Sequence, residues 1–398
     1  MPIPRIYAYS SDPLNPVGAE YIIEERQKEN HWGLVEIETK LTSISFWKHG
    51  CIYYRKDLEE RKVKSYDLDA KSLSSGDFLK GNPLEEFAFG PLTEARLWGG
   101  EKAAMKLDRG PWSTPLSYLA AIGINEILWT ESYAKPRINP YRSLERLETP
   151  VEYISLLERY LKLVPLLSPG PVPTSLSHPD LHLDNVFVNP DTKQITCIID
   201  WQSVSVSEPF FQEKVPRLLL PVQSNVPDKP VKATREGSRA TDSANRTALL
   251  LSHYQELTRV DNKQRCASMA LQNRSYLTKP SSILCGAWDR NDVISFRHAL
   301  IHIAAQCKDI APADVSCPIQ FTEEELQLHH DEMELVEGLG EVLHQLQDDN
   351  LIPLGGMVLR EYYEQALHIN NSVKEMFLDM ADSESQRNLY SRIWPYQD

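Results

Sequence analysis

The sequence contains no apolar run long enough to span a membrane, because its strongest one, around Leu219, ends at Pro221. Residues 1–5 show neither the apolar core of a signal peptide nor the Arg-rich amphipathic pattern of a transit peptide. Basic residues are also scarce: 42 Lys and Arg against 56 Asp and Glu give a formal net charge of −14. Binding to nucleic acid or to anionic membranes, which requires clustered basic residues, is therefore not expected. The default expectation is a cytoplasmic protein without a membrane span.

Cysteine is sparse as well, and the 6 cysteines show no C-x-x-C spacing. This pattern does not favour a zinc site or a redox motif built on cysteines. Cys197 lies inside the apolar run 195–199, where a thiol behaves as a small core residue. We expect a reduced, intracellular protein. At 398 residues with 41% hydrophobic content, the chain is long enough to bury a large core.

Composition and periodicity predict four parts of the chain. Residues 1–30 predict two strands joined by turn residues, and residues 31–221 predict a core region. Residues 222–247 are polar and poor in apolar groups, which predicts a surface insertion. Residues 248–398 carry helical spacing of apolar side chains and are expected to be helical.

Two helices have particularly clear sequence signals. Residues 151–167 place leucines, Tyr160 and Val164 on one stripe, which predicts an amphipathic helix. Thr322, followed three residues later by Glu325, predicts a capping box at the start of a long helix.

One stretch carries the residues that phosphoryl transfer requires. His178, Asp180 and Asn185 occur in the spacing H-x-D-x-x-x-x-N, and the apolar run 195–199 ends at Asp200. Transfer from a metal-bound nucleotide uses a carboxylate at the attacking hydroxyl, then an Asn and an Asp on Mg²⁺. Protein kinases arrange these groups as H-R-D-x-x-x-x-N followed by D-F-G. The sequence therefore predicts a kinase-like catalytic centre.

Two other interpretations of this stretch stay open. One is a polar turn without a catalytic role. The other is a transition-metal site, because His178, Asp180, His182 and Asp184 alternate and would face one side of a strand. Pro179 argues against a regular central strand there. In the kinase-like interpretation, His178 supports the loop through hydrogen bonds and His182 packs or hydrogen-bonds within it.

Two further pairs of residues stand out in the sequence. Trp98 and Trp112 lie in turn-rich segments, where they either line a substrate pocket or, as we favour, pack ordered loops. His329 and His330 lie on a predicted helix among acidic neighbours, and we expect both to be solvated.

The same motifs resemble those of the aminoglycoside phosphotransferase (choline-kinase-like) family, a branch of the protein-kinase-like fold. That family's loop commonly reads H-G-D-x-H-x-x-N, and its metal-binding Asp lies in I-D-W-E. The sequence keeps His182 and Trp201 of these motifs but has Pro179, Asp184 and Gln202 at variant positions. It also resembles the fungal subgroup that includes altered inheritance of mitochondria protein 9. The matching segments are Tyr7–Asp12, Asn15–Ile22, Tyr53–Leu58, Asp108–Trp112 and Trp394–Asp398.

The resemblance implies a fold, an activity and residue roles. The fold would be α+β and protein-kinase-like, with remnant N-lobe strands and a mostly helical C-lobe. The activity would be phosphoryl transfer from ATP, with Mg²⁺, to a hydroxyl group of a small-molecule substrate. Asp180 would act as the base, and Asn185 and Asp200 would bind the metal ion. Backbone groups near Ile23 and Glu25 would hold the nucleotide.

The resemblance also exposes a gap near the N-terminus. The N-lobe of such kinases supplies a nucleotide-covering loop and a Lys on the phosphates. This chain begins at what corresponds to the last two N-lobe strands and the hinge, and the stretch 25–30 after them is short. Losing one preorganised electrostatic group costs about 10²–10³ in rate. The alternative function is therefore a catalytically inactive, kinase-shaped binding protein. Truncation and degeneration both explain the gap, and a mitochondrial location applies if a presequence was lost.

Overall fold

The computed structural model describes most of the chain, and the structural statements below concern those residues. They are residues 6–10, 21–24, 33–68, 83–170, 172–192, 194–212, 215–216, 219, 236–271, 274–311, 315–348, 351 and 358–396. The predicted nucleotide contact Glu25 and residues 222–235 of the predicted polar insertion lie outside them.

Contacts between residues divide the chain into two compact units. The first unit comprises residues 1–121, 168–221 and 240–274, and the second comprises residues 122–167, 222–239 and 275–398. The predicted catalytic and metal-binding residues all belong to the first unit. This division does not test the four predicted parts of the chain, which stay a prediction.

Small antiparallel sheets begin the first unit. Strand β1 (Ile6–Ser10) pairs with β2 (Tyr21–Glu24), where β-prone residues predict two strands. A second sheet has β5 (Phe87–Gly90) between β3 (Cys51–Tyr54) and β4 (Tyr66–Asp67). Phe89 of this sheet packs with Phe46 and Val206 in one apolar core.

Two further strand pairs flank the predicted catalytic loop. Strand β8 (Ser175–Ser177) pairs with β11 (Ser205–Ser207), and β9 (Val186–Val188) pairs with β10 (Ile195–Ile198). The loop joins β8 to β9, and Asp200 follows β10 after one residue. Two connected antiparallel pairs thus fix both ends of the loop.

The helices of the first unit include α1 (Leu34–Thr42), α2 (Arg55–Glu60) and α6 (Lys263–Met269). Helices α3 (Pro115–Tyr133) and α5 (Glu236–Asp261) contribute residues to both units.

Helix α1 packs directly against the predicted catalytic loop. Ile37 and Leu41 lie four residues apart on one face, and both are buried against Leu181 of the loop and Ile198 of β10. Burying an aliphatic side chain of this size contributes about 1.5–3 kcal/mol. The backbone of the loop therefore rests on a small apolar core.

A buried ion pair joins α1 to two later helices of the same unit. Arg265 Nη2 lies 3.1 Å from Glu38 Oε1, and the Tyr254 hydroxyl donates to Glu38 Oε2 at 2.8 Å. Arg265 Nε also donates to the Tyr254 oxygen at 2.8 Å. Burial raises the pKa of Glu38, and the charge of Arg265 opposes that rise. These bonds connect α1, α5 and α6 beside the loop.

The second unit is mostly helical, with one hairpin of β6 (Arg137–Asn139) and β7 (Ser143–Glu148). Its further helices are α4 (Pro150–Leu167), α7 (Arg274–Leu284), α8 (Val293–Ala305), α9 (Cys307–Ile310), α10 (Glu323–Asp348), α11 (Tyr363–Asp379) and α12 (Glu384–Ile393). One of its cores is built from Leu339, Leu346, Phe377, Ile393 and Trp394.

Both strong helix predictions are confirmed. Helix α4 covers the predicted residues 151–167, although it buries Tyr153 and Leu163 in addition to much of the predicted stripe. At the start of α10 the Glu325 amide donates to Thr322 Oγ1 at 3.2 Å, and the Thr322 amide donates to Glu325 Oε2 at 2.9 Å. This reciprocal pair is a capping box.

The described structure is mixed α and β, mostly helical, with small antiparallel sheets. This agrees with the α+β class expected from the sequence. Within the described residues, every helix is too short or too polar to cross a membrane.

The expectation that His329 is solvated is wrong. Its side chain is buried, and its Nε2 atom lies 3.2 Å from Nδ1 of His298 on α8. The neighbouring His330 is exposed and lies 3.3 Å from Glu334. His329 and Glu332 of α10 are both buried although they are polar. The acidic residues around His329 in the sequence therefore did not indicate an exposed position. Burial lowers the pKa of His329 to about 4, and the positive charge of Arg297 adds to this effect.

This burial predicts a pH-dependent stability. Because the pKa of His329 is about 4 in the folded chain and 6.5 ordinarily, the folded state binds the proton more weakly than the unfolded state. Its contribution to the free energy of unfolding is complete above pH 6.5 and is lost as the pH falls to about 4. We expect the free energy of unfolding, measured in urea, to fall less in His329→Gln than in the wild type as the pH is lowered through that interval, with a difference of up to about 3 kcal/mol.

His330→Gln is the matched control, because it removes an exposed histidine from the adjacent position of the same helix. Its free energy of unfolding should change with pH as that of the wild type does. If the wild type and His329→Gln show the same change with pH, His329 is not the group responsible.

Candidate active site

The predicted catalytic loop is held together by its own backbone. The His182 amide donates to the Asp180 carbonyl at 3.1 Å, and the Asn185 amide donates to the His182 carbonyl at 3.2 Å. A short 3₁₀ turn, Leu183–Asn185, leads into β9. The Ile199 amide then donates to the Asn185 carbonyl at 3.0 Å, which joins the loop to the end of β10. The loop is compact because its polar backbone groups bond locally.

His178 connects the base of the loop to the residue before Asp200. Its Nε2 atom lies 2.9 Å from the Ile199 carbonyl, and its Nδ1 atom lies 3.2 Å from the Asp180 amide. The carbonyl requires a donor and the amide an acceptor, so the ring is neutral with its proton on Nε2. Burial lowers the pKa of His178, which favours this neutral form. Trp201 packs edge-on against the same ring, with 4.8 Å between the ring centroids.

Asp180 and Asn185 are in direct contact. The Asn185 side chain is buried, and its Nδ2 atom donates to the Asp180 carbonyl at 3.0 Å. The Asp180 carboxylate is about half accessible, with 43% of the side chain exposed. The loop thus presents one carboxylate to solvent while it buries and anchors the amide beside it.

Asp200 is exposed and has φ 62°, in the left-handed region that few non-glycine residues adopt. Asp and Asn tolerate this conformation better than other side chains. His178 and Asn185 of the loop both bond to the backbone of Ile199. Asp200 therefore directly follows the residue at which the loop and the strand meet. The structure therefore brings Asp180, Asn185 and Asp200 to one end of the β9–β10 hairpin.

The side-chain oxygens of Asn185 and Asp200 belong to the class of ligand that Mg²⁺ prefers. Mg²⁺ takes oxygen ligands and is usually held by one or two protein groups, while phosphates and waters complete its shell. Among the residues that the structure describes, no group of three or more His, Cys, Asp or Glu side chains is arranged to hold a metal ion. Both ring nitrogens of His178 are used in the loop, which gives the transition-metal interpretation no support.

The hairpin also presents apolar side chains to solvent, which sequence analysis missed. Phe187 is 51% exposed and Val188 is 48% exposed on β9, immediately after Asn185. An exposed aromatic ring is a surface on which a flat ligand can stack. The sequence could not indicate this exposure, because a short apolar run is equally typical of a buried strand.

A cleft of about 590 Å³, open solvent included, lies behind the loop rather than at its exposed carboxylates. Its walls include Ile37 and Trp201, and its polar lining includes Glu38, His178 and Arg265. The exposed end of the hairpin therefore carries the candidate chemistry, although the cleft is the more enclosed feature.

The other predicted contacts are less informative. Ile23 lies in β2, opposite Ala8 of β1. Its predicted role at the nucleotide is not tested and stays a prediction, as does that of Glu25.

The two tryptophans of the turn-rich segments pack within loops. The Arg109 guanidinium stacks 3.9 Å from the Trp98 ring centroid, and Trp98 Nε1 donates to the Leu92 carbonyl at 2.7 Å. Trp112 is buried and donates to Asp108 Oδ2 at 3.1 Å. Neither lines the cleft behind the loop. These contacts support the interpretation as ordered loop packing.

Comparison with protein families identifies the segment that holds this site. The model described as "Phosphotransferase enzyme family" matches residues 106–211, which include Asp180, Asn185 and Asp200. The chain carries a phosphotransferase-family domain. The resemblance seen in the sequence is thereby confirmed.

Several fungal proteins are similar to the chain. A subtelomeric hrmA-associated cluster protein of Aspergillus fumigatus is 26% identical, with 100% of this chain and 86% of that protein covered. Altered inheritance of mitochondria protein 9, mitochondrial, of Saccharomyces cerevisiae is 23% identical over 54% of this chain and 40% of its own length. Its counterpart in Lachancea thermotolerans is 22% identical over 54% of this chain and 40% of its own length. No solved structure matches the chain.

The bridging contacts of His178 predict a stability cost for its removal. His178→Leu leaves the Ile199 carbonyl and the Asp180 amide without this partner, and we expect it to lower the free energy of unfolding by about 1–3 kcal/mol in urea titrations.

His182→Leu is the comparison variant, because the contacts of His182 stay within the loop. We expect it to cost about 0.5–1 kcal/mol. Equal costs for the two variants would show that the bridge to Ile199 contributes nothing of its own.

Proposed function

We propose that the phosphotransferase-family domain transfers a phosphoryl group from Mg·ATP to a hydroxyl group of a small molecule, on a protein-kinase-like fold. The observation that carries the proposal is the His178 bridge. It links the amide of Asp180, the proposed base, to the carbonyl of Ile199, the residue before the proposed metal ligand Asp200. The bridge supports the proposal because it holds these two residues in a fixed relation, as catalysis by positioning requires.

Asp180 is proposed to act at the attacking hydroxyl. Its carboxylate is accessible, while the loop backbone on either side is hydrogen-bonded in place. A carboxylate held in this way orients the substrate hydroxyl and accepts its proton as the phosphoryl group is transferred. Positioning is the larger part of this role, because phosphoryl transfer requires little covalent participation by the protein.

Asn185 and Asp200 are proposed to hold Mg²⁺ through their side-chain oxygens. When bound, the ion would neutralise the charge that develops on the phosphates during transfer. Asn185 is anchored through its nitrogen, so its oxygen is the atom left for a ligand. Asp200 contributes the negative charge of the pair.

Phe187 is proposed to provide the surface beneath the nucleotide base. It is the first exposed aromatic side chain after Asn185, and a ring stacked on it would be adjacent to the metal ligands. This role supplements the predicted backbone contacts near Ile23 and Glu25. The mitochondrial location stays a prediction.

Replacing the proposed base tests this function. We expect Asp180→Asn to lower Mg²⁺-dependent ATP turnover, measured as phosphate release, by about 10²–10⁴-fold. Its affinity for nucleotide should change little, because Asp180 is assigned to the hydroxyl and not to the metal.

Asp191→Asn is the control, since Asp191 is an exposed carboxylate in the turn between β9 and β10. It should keep wild-type turnover. Turnover that survives Asp180→Asn would contradict the assignment. A wild-type chain that binds nucleotide without any turnover would favour the alternative of a catalytically inactive, kinase-shaped binding protein.

A further inference from the structure

We infer that His182 is a positioning residue, which fixes the orientation of the Asn185 amide so that its oxygen faces a metal ion. The orientation itself is a property of the chain and is independent of any activity. Its use in metal binding rests on the proposed function.

The nitrogen end of the Asn185 amide has two partners. Nδ2 donates to the Asp180 carbonyl at 3.0 Å and lies 3.1 Å from Nε2 of His182. An amide nitrogen carries two hydrogen atoms, so it can donate to both acceptors. Rotating the amide by half a turn would place Oδ1 against the Asp180 carbonyl, which is an acceptor, and against Nε2 of His182. In the tautomer that leaves Nε2 without a proton, the opposite orientation is disfavoured twice.

This arrangement requires one tautomer of His182. If Nε2 accepts from Asn185, the proton of the neutral ring is on Nδ1, which faces the Asp184 carboxylate at 3.5 Å. In the other tautomer, Nδ1 accepts from the Asp184 amide at 3.3 Å and Nε2 donates towards Asp180 Oδ2 at 3.4 Å. The first tautomer keeps the shorter, partly buried contact to Asn185 and gives up the bond from the Asp184 amide, which is exposed and can be replaced by water. The Asn185 side chain is also the most deeply buried group of this set, so it has the least access to water as a substitute partner.

The second anchor matters because the buried Asn185 side chain has little access to water as a replacement partner. With the His182 acceptor removed, the amide keeps a single bond to the Asp180 carbonyl, and rotation about the last side-chain bond becomes easier. Groups that orient a metal ligand in this way typically change metal affinity by about 10–100-fold when they are lost. His182 would therefore act through Asn185 and make no contact with substrate.

The test compares two replacements of His182 in the full chain. His182→Gln keeps an acceptor oxygen at the end of the side chain, whereas His182→Leu has a similar size and no acceptor. Binding of Mn²⁺ alone, as a probe for the divalent-cation site, is followed by electron paramagnetic resonance of the free ion. We expect His182→Leu to weaken Mn²⁺ binding by about 10-fold or more and His182→Gln to stay within about threefold of the wild type.

Equal Mn²⁺ affinity in all three proteins would overturn the inference. Equal weakening in both variants would also overturn it, because the acceptor of Gln would then have restored nothing. Urea unfolding of each variant shows whether it is folded under the conditions of the titration.

A second measurement separates this inference from the proposed function. The side-chain amide resonances of Asn185 are assigned as the pair lost in Asn185→Asp, and are followed by NMR without any metal. We expect one of the two proton resonances to move in His182→Leu and to be restored towards its original position in His182→Gln. Unchanged resonances in His182→Leu would overturn the inference. If they move while the wild type binds no Mn²⁺, the orientation stands and the metal site of the proposed function is refuted.

Discussion

The candidate site depends on the imidazole of His178, which is bonded on both sides to backbone. Its Nε2 atom bonds to the Ile199 carbonyl and its Nδ1 atom accepts from the Asp180 amide. One neutral ring therefore connects the loop that carries Asp180 and Asn185 to the strand that delivers Asp200. Burial keeps the ring neutral by lowering its pKa. The bridge adds a side-chain link to the backbone bond from the Ile199 amide to the Asn185 carbonyl, so that the proposed base and the proposed metal ligand are held by two connections.

The rest of the first unit supports this bridge from behind. Ile37 and Leu41 of α1 pack under Leu181 and Ile198, one residue on each side of the junction. The ion pair of Glu38 with Arg265 then connects α1 to α6. Apolar packing sets the position of the loop as a whole, and hydrogen bonds set the orientation of its individual side chains. Rigid support with accessible carboxylates is the arrangement that catalysis by positioning requires.

Local features of this protein could be predicted from the sequence, and long-range ones could not. The loop motif, helix α4 and the capping box at Thr322 are set by residues only a few positions apart. Burial of His329 and the pairing of Glu38 with Arg265 depend on partners that are distant in sequence, and no periodicity identifies them. The exposure of Phe187 depends on what covers the strand, which an apolar strand pattern does not record. The motif therefore predicted which residues form the candidate site, while their supporting contacts required the structure.

The central claim is that this junction binds a metal–nucleotide complex. The most direct test is calorimetric titration of the full chain with Mg·ATP beside Asp200→Asn. Asn is the appropriate replacement because it tolerates the left-handed backbone of residue 200, so that the charge is lost and the local conformation is kept. The account predicts micromolar-to-millimolar binding by the wild type that is lost or strongly weakened in the variant. Absence of binding by the wild type, or equal binding by both proteins, would contradict it.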